Sequence, residues 1–312
     1  MLAIRVIGLL APGQGAQKPA MLTPWLELDG VEAVLSGWSD AIGLDLVRLG
    51  TTADAEEIKD TAITQPLIVA ASLIAYDQLA RRTVVPVDAI VAGHSIGELA
   101  AGAVAEVFRA SDAVALAAVR GAAMAAACAL EPTGMAALMG GDPDEVLARL
   151  SELGLTPANM NGAGQIVVAG SLPALAKLKE NQPEGTKLIE LKVAGAFHTD
   201  YMAPAVPALR ERADSITVQD PIRPLLSNAD GTVVAEGAEM LRRLVAQVTL
   251  PVRWDKCMAT MAARGVTTTI ELTPPGPLSG LVKRELKGTK TVQLKTPGDL
   301  DKAVEALAEE GE

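Results

Sequence analysis

The pentapeptide Gly93-His94-Ser95-Ile96-Gly97 sets a serine between two glycines, after a β-type run and before an Ala-rich one. That G-x-S-x-G spacing has the mechanics of a nucleophile elbow. A sharp strand-to-helix turn lifts the serine Oγ out of a sheet, and small flanking residues relieve the crowding of the turn. The hydroxyl then faces the positive end of a helix, and the Ile96 N–H is placed to donate to an oxyanion. The chemistry this permits is covalent catalysis through an acyl-serine. The plain alternative is a Gly-rich turn with an incidental serine.

A seryl nucleophile needs a group to take its proton, most often histidine. The chain has two histidines. His94 adjoins Ser95, and neighbouring side chains on a tight turn diverge, so His94 reads as structural. His198, in "GAFHTDYM", becomes the base by elimination. No orienting acid is obvious. Asp112, Asp142 and Asp144 read as helix caps or turn residues, and Asp200 follows His198 too closely. An acceptor that is not a carboxylate is one open option.

Arg120 is the only charge in the apolar run 113–130. A guanidinium stays charged and is costly to bury unpaired. Either it pairs with a nearby acid, Glu98 or Glu106, or it forms a bidentate clamp for a substrate carboxylate. In "GQGAQ" (13–17) the third glycine of a dinucleotide fingerprint is replaced by Lys18, which argues against that use. The Gln14 N–H is instead placed to complete an oxyanion hole. "KRELK" (283–287), Arg253 and Lys256 read as solvated charge or a basic patch.

The elements around these residues alternate. "AIRVIGLLA" (3–11) and "VDAIVAG" (87–93) read as buried strands. Helices are expected at 61–82, after Ser95 to about Val107, and at 111–130 with Ser111 as N-cap. Residues 132–194 follow the order β-α-β-β-α-β, the ferredoxin-like pattern, as a small insert. Outside it, alternating strands and helices imply a mostly parallel α/β core. The acidic C-terminal "LDKAVEALAEEGE" reads as a solvated helix.

Composition narrows the partners. Of 312 residues 49% are hydrophobic, enough for a large core, but only 2% are aromatic, which argues against base stacking. A net charge of −11 excludes a broad nucleic-acid footprint. Two distant cysteines make neither a disulfide framework nor a zinc site and fit a cytoplasmic setting. The apolar start resembles a short signal peptide, but "PGQGAQ" is a poor cleavage region, so it reads as the first strand. The stretches 84–105 and 113–130 carry charges that argue against a membrane span.

Several separated motifs together resemble the malonyl-CoA:acyl-carrier-protein transacylases, the acyltransferase family of bacterial type II fatty acid synthesis. They are "APGQGAQ", "TQP", "GHSIGE", "VRGAAM", "PTGMAALMG", "NGAGQIVVAG", "GAFHTDYM", "LVAQVTLPVRW" and "ELTPPGPLSGL". The resemblance runs nearly end to end. It implies an α/β-hydrolase-like core (1–130 and 198–312) with a ferredoxin-like small subdomain (131–197). It implies Ser95 as nucleophile, His198 as base, Arg120 on the malonyl carboxylate, and Gln14 and Ile96 N–H groups as the oxyanion hole. Gln247 accepts a hydrogen bond from His198 in this picture, and Gln65 and Asn161 support. "GHSIG" and "GAFH" look like malonyl-selecting versions, with the Ile96 side chain helping the choice. "TPPGPLSG" departs from the family's Gly-Pro-Gly run. The expected partners are malonyl-CoA and an acyl carrier protein, with no metal or redox cofactor, no nucleic acid and no membrane, and the expected state is a monomer. A polyketide-serving acyltransferase, a thioester hydrolase and a non-catalytic carrier-binding module are the other readings.

Overall fold

The computed structural model describes residues 6–308. The chain opens with β1 (Val6–Ala11), α1 (Val31–Ile42), α2 (Leu46–Thr51), α3 (Thr61–Ala80), β2 (Ile90–Gly93), α4 (Gly97–Val104) and α5 (Ala110–Cys128). It continues with β3 (Thr133–Gly140), α6 (Pro143–Glu152), β4 (Thr156–Gly162), β5 (Gln165–Ser171), α7 (Leu172–Glu180) and β6 (Thr186–Glu190). The remainder is α8 (Val206–Asp214), β7 (Leu225–Leu226), β8 (Val233–Val234), α9 (Gly237–Ala246), β9 (Val252–Arg253) and α10 (Trp254–Ala263). It closes with β10 (Val266–Glu271), α11 (Leu278–Glu285), β11 (Lys290–Gln293) and α12 (Leu300–Ala308).

Two sheets result. The first runs β11-β10-β1-β2-β7-β8 and is parallel except at the β7–β8 pair. Its central strand β1 is buried along Ile7, Leu9, Leu10 and Ala11, as a strand covered on both faces must be. The second sheet runs β6-β3-β5-β4-β9. Its first four strands pair antiparallel, and β9 joins β4 in parallel. Because β9 follows the return of the chain from β6, this pairing ties the β3–β6 segment to the rest.

Helices α3 and α5 pack against each other beside the first sheet. α3 is apolar nearly all round and buried along most of its length, the pattern of a core helix. The Ala- and Gly-rich face of α5 lets the backbones approach. A Cβ on Gly121 would sit 2.7 Å from the Thr61 carbonyl oxygen at the start of α3. Among the described helices α5 is the one long and apolar enough to cross a membrane. Here it packs on α3, α4 and α8.

Three expectations change. Ser111 does not cap α5: the helix starts at Ala110 after an extended Arg109, and Ser111 lies inside the first turn. The C-terminal helix is not simply solvated, because α12 buries Leu300, Ala303, Ala306 and Leu307 at helical spacing; its last four residues lie outside the described range. "RPLLSN" forms only a two-residue strand, β7, and its partner β8 is equally short, so neither shows a period. The proposed strand residues 3–5 lie outside the described range.

Candidate active site

The elbow is formed as its glycines require. β2 ends at Gly93, Ile96 caps α4, and Ser95 between them has φ +53°. That is the left-handed region a non-glycine residue rarely occupies, and it costs strain that surrounding contacts must hold. A Cβ on Gly93 would strike the Gly97 backbone, and one on Gly97 would strike the Ala11 carbonyl at the end of β1. Asn228, just past β7, clamps the turn: its Oδ1 accepts from the Ser95 N–H at 2.8 Å and its Nδ2 donates to the Gly93 carbonyl at 2.8 Å.

His198 sits in the segment leading to α8, also at positive φ (+60°). Its Nε2 lies 2.7 Å from Ser95 Oγ. Its Nδ1–H donates to the Gln247 backbone carbonyl at 2.9 Å. A carbonyl can only accept, so the proton stays on Nδ1 and Nε2 is left free as acceptor. The expected histidine-orienting role of Gln247 therefore falls to its main chain, at the C-cap of α9. Burial, then the Arg120 cation, push the imidazole down to about 3, so the resting ring is neutral and able to take a proton.

Arg120 is buried on α5 and makes no ion pair with Glu98 or Glu106 among the described residues. Its Nη1 donates to Gln65 Oε1 at 2.8 Å and its Nη2 to Gln247 Oε1 at 3.1 Å. Nη2 also stands 3.5 Å from Ser95 Oγ. Two neutral amides thus hold the guanidinium without cancelling its charge. Burial pushes Arg120 down to about 10, with Glu98 opposing, so it remains a cation near neutrality.

These groups open on a cavity of about 260 Å³ between the two sheets. One wall is Ser95, His198, Arg120 and Gln65, and the facing wall comes from β3, β4 and β5. Gln14 also lines the cavity. Among the described residues neither the Gln14 nor the Ile96 N–H donates to a protein acceptor. Phe197 lines the cleft, whereas the Ile96 side chain is fully buried away from it. The expected part of the Ile96 side chain in acyl choice therefore has no contact to act through. Asn161 acts by holding His94: its Oδ1 lies 2.8 Å from His94 Nε2, while the His94 ring meets Trp254 edge-on at 5.6 Å. The His94 ring is thus engaged by Asn161 and Trp254 rather than by Ser95 Oγ, in keeping with the divergence of neighbouring side chains on the turn.

The unusual "TPPGPLSG" loop is held by buried Glu271 at the end of β10, which accepts from the Gly276 N–H, Ser279 N–H and Ser279 Oγ–H. That grip brings Pro277 and Leu278 to the cleft. Sequence reasoning missed Asn228 and weighed the buried Glu98 only as an ion-pair partner for Arg120, not as a partner of Asn228 and Gln247. Glu98 was visible as a lone carboxylate in an Ala-rich helix, while nothing near Asn228 marks it.

The comparisons agree with this architecture. Residues 10–305 match the family described as the acyl transferase domain, which makes the protein an acyltransferase by class. The malonyl CoA-acyl carrier protein transacylase of Mycobacterium tuberculosis is 56% identical over 297 residues, covering 95% of this chain and 98% of the relative. A crystal structure of MCAT from Mycobacterium tuberculosis superposes with TM-score 0.93 at 55% identity, covering 96% of this chain and 100% of that one. A malonyl-transacylase solved with its type II PKS acyl-carrier protein gives TM-score 0.89 at 28% identity, over 96% of this chain and 99% of that one. The chain belongs to the malonyl CoA-acyl carrier protein transacylase family.

Proposed function

We propose that the protein moves malonyl from malonyl-CoA to the phosphopantetheine thiol of an acyl carrier protein, through an ester on Ser95. One observation carries this: Ser95 Oγ stands 2.7 Å from a neutral imidazole nitrogen and 3.5 Å from a buried guanidinium. The first is a base, and the second is a receptor for a carboxylate two carbons from the reacting carbonyl. His198 Nε2 takes the Oγ proton as Oγ attacks the thioester carbonyl. The Gln14 and Ile96 N–H groups receive the oxyanion. Collapse breaks the C–S bond, and the departing coenzyme A sulfur takes the proton from Nε2. The carrier thiol then repeats the steps in reverse: it gives its proton to Nε2, attacks the ester carbonyl, and Ser95 regains the proton.

In this reading the six-stranded sheet is the α/β-hydrolase-like core (1–130 and 198–312), and 131–197 is the ferredoxin-like small subdomain that forms the outer wall of the cleft. The strand order β6-β3-β5-β4 within a β-α-β-β-α-β segment supports it. The scheme uses no metal or redox cofactor, and the setting is a monomer in the cytoplasm. Helix α11 places the carrier. Its Leu278 and Leu281 line the cleft, while exposed Lys283 and Arg284 border a neighbouring surface depression with Lys295, Glu305 and the Lys302–Asp299 ion pair. On an acidic protein this local basic patch suits an acidic carrier.

The test is transfer to a holo carrier protein from malonyl-CoA, read by the mass of the carrier. Malonyl-carrier is the expected product; free malonate without malonyl-carrier points to a hydrolase. Charge reversal at Lys283 and Arg284 together should raise KM for the carrier about tenfold or more and leave KM for malonyl-CoA within about twofold. Unchanged KM for the carrier removes α11 from the docking surface.

A further inference from the structure

Glu98 is 1% exposed and takes no part in the steps above. Its Oε1 accepts from the Asn228 N–H at 2.6 Å, and its Oε2 accepts from Gln247 Nε2. Gln247 Nε2 lies also near Asn228 Oδ1 (3.2 Å) and the Ser95 carbonyl (3.3 Å). Its other amide atom, Oε1, receives Arg120 Nη2. The Gln247 carboxamide is therefore caught between a donor-only guanidinium and a group that offers it only acceptors. Burial raises Glu98 to about 8, with the Asn228 N–H and the Arg120 cation pulling it down, but each of its oxygens receives an N–H donor and neither meets an acceptor for a carboxyl proton among the described residues, so the contacts select the ionised form. The fold thus surrounds a costly buried carboxyl with donors rather than replacing it by an apolar residue.

We infer that Glu98 is a positioning residue for malonyl selection: it fixes the orientation of the Gln247 carboxamide, and through it the direction in which Arg120 meets the substrate carboxylate. The inference rests on the proposed roles of Ser95 and Arg120. A carboxylate serves both N–H donors. A carboxamide at position 98 has one acceptor oxygen for two donors, so one N–H must face another. Turning the Gln247 amide over to relieve that conflict sets its NH₂ against the guanidinium and shifts the clamp. The imidazole hydrogen-bonds the Gln247 main chain and not the carboxamide that Glu98 orients.

The experiment is Glu98→Gln, with single-turnover loading of Ser95 from malonyl-CoA and from acetyl-CoA followed by intact mass. Malonyl loading should fall about tenfold while acetyl loading stays within about twofold, so the malonyl-to-acetyl ratio drops. In an Arg120→Ala background Glu98→Gln should leave the ratio unchanged, since both act through one contact. Equal loss for both acyl groups, or no change in the ratio, overturns the inference and leaves Glu98 a support for the elbow at most. A ratio that falls equally without Arg120 also overturns it. Glu98→Asp, which keeps the charge but draws the carboxylate back from the Gln247 amide, provides the same readout if the first variant does not fold: it should lower the malonyl-to-acetyl ratio, and an unchanged ratio overturns the inference. Wild-type protein that never loads malonyl on Ser95 contradicts the proposed function itself; normal wild-type loading with an unmoved ratio contradicts only the role of Glu98.

Discussion

Replacing Arg120 with alanine is expected to lower kcat/KM for malonyl-CoA by about 10²–10³-fold, because a buried charge-assisted contact to the substrate carboxylate is lost. Acetyl-CoA has no carboxylate to pair. In the wild-type cleft it leaves the guanidinium facing an apolar methyl, so the analogue lacking the polar group is the one rejected. Removing the cation removes that penalty. Acetyl loading should therefore rise relative to malonyl, and the preference should shrink toward unity. The two amides that cap Arg120, Gln65 and Gln247, are neutral, so no carboxylate is hydrogen-bonded to the guanidinium in place of the substrate. If malonyl transfer survives with its preference over acetyl intact, Arg120 is a structural cation and the selectivity lies elsewhere.

His198→Ala should lower kcat by about 10⁴-fold or more, as removing the base of a coupled serine–histidine pair does, with little change in the thermal midpoint. The pH profile is a second readout. The buried imidazole with folded pKa about 3 is neutral at every pH above that. Its proton-accepting form is lost only as pH falls through the folded value, so the acid limb of kcat/KM should lie well below the ordinary histidine range near 6.5. The same depression works on stability: the unfolded chain gains a proton near 6.5 that the folded one refuses. This contribution is thus full above 6.5 and is lost as pH falls toward 3. An acid limb at 6–7 that persists under saturating steady-state controls contradicts a buried, neutral His198.

Much of the site was legible because its groups are rare or oddly placed. Ser95 announced itself by two glycines, each of which the structure shows filled by backbone from β1 or α4. His198 was reachable by elimination, since the chain has one other histidine. Arg120 was a lone charge in an apolar helix. What escaped was contact made by main chain or by distant loops. The orienting acceptor for His198 is a carbonyl, which any residue at 247 carries, so side-chain identity held no sign of it. Asn228 reaches the elbow across 133 residues of chain, and its neighbours have no pattern that marks a clamp. The pairing of β9 with β4 was equally hidden, because a two-residue strand has no period to read. Helix α12 misled through its acidic residues, which lie on the solvent side of a helix whose other face is apolar.

The most direct measurement is the intact mass of the protein after brief exposure to malonyl-CoA without a carrier. The account predicts a single added malonyl group, located on Ser95 by peptide mapping, absent in Ser95→Ala, and removed by a phosphopantetheine thiol at the rate of turnover. An adduct that persists in Ser95→Ala, or full transfer to the carrier with no covalent acyl-enzyme at any time, would contradict it.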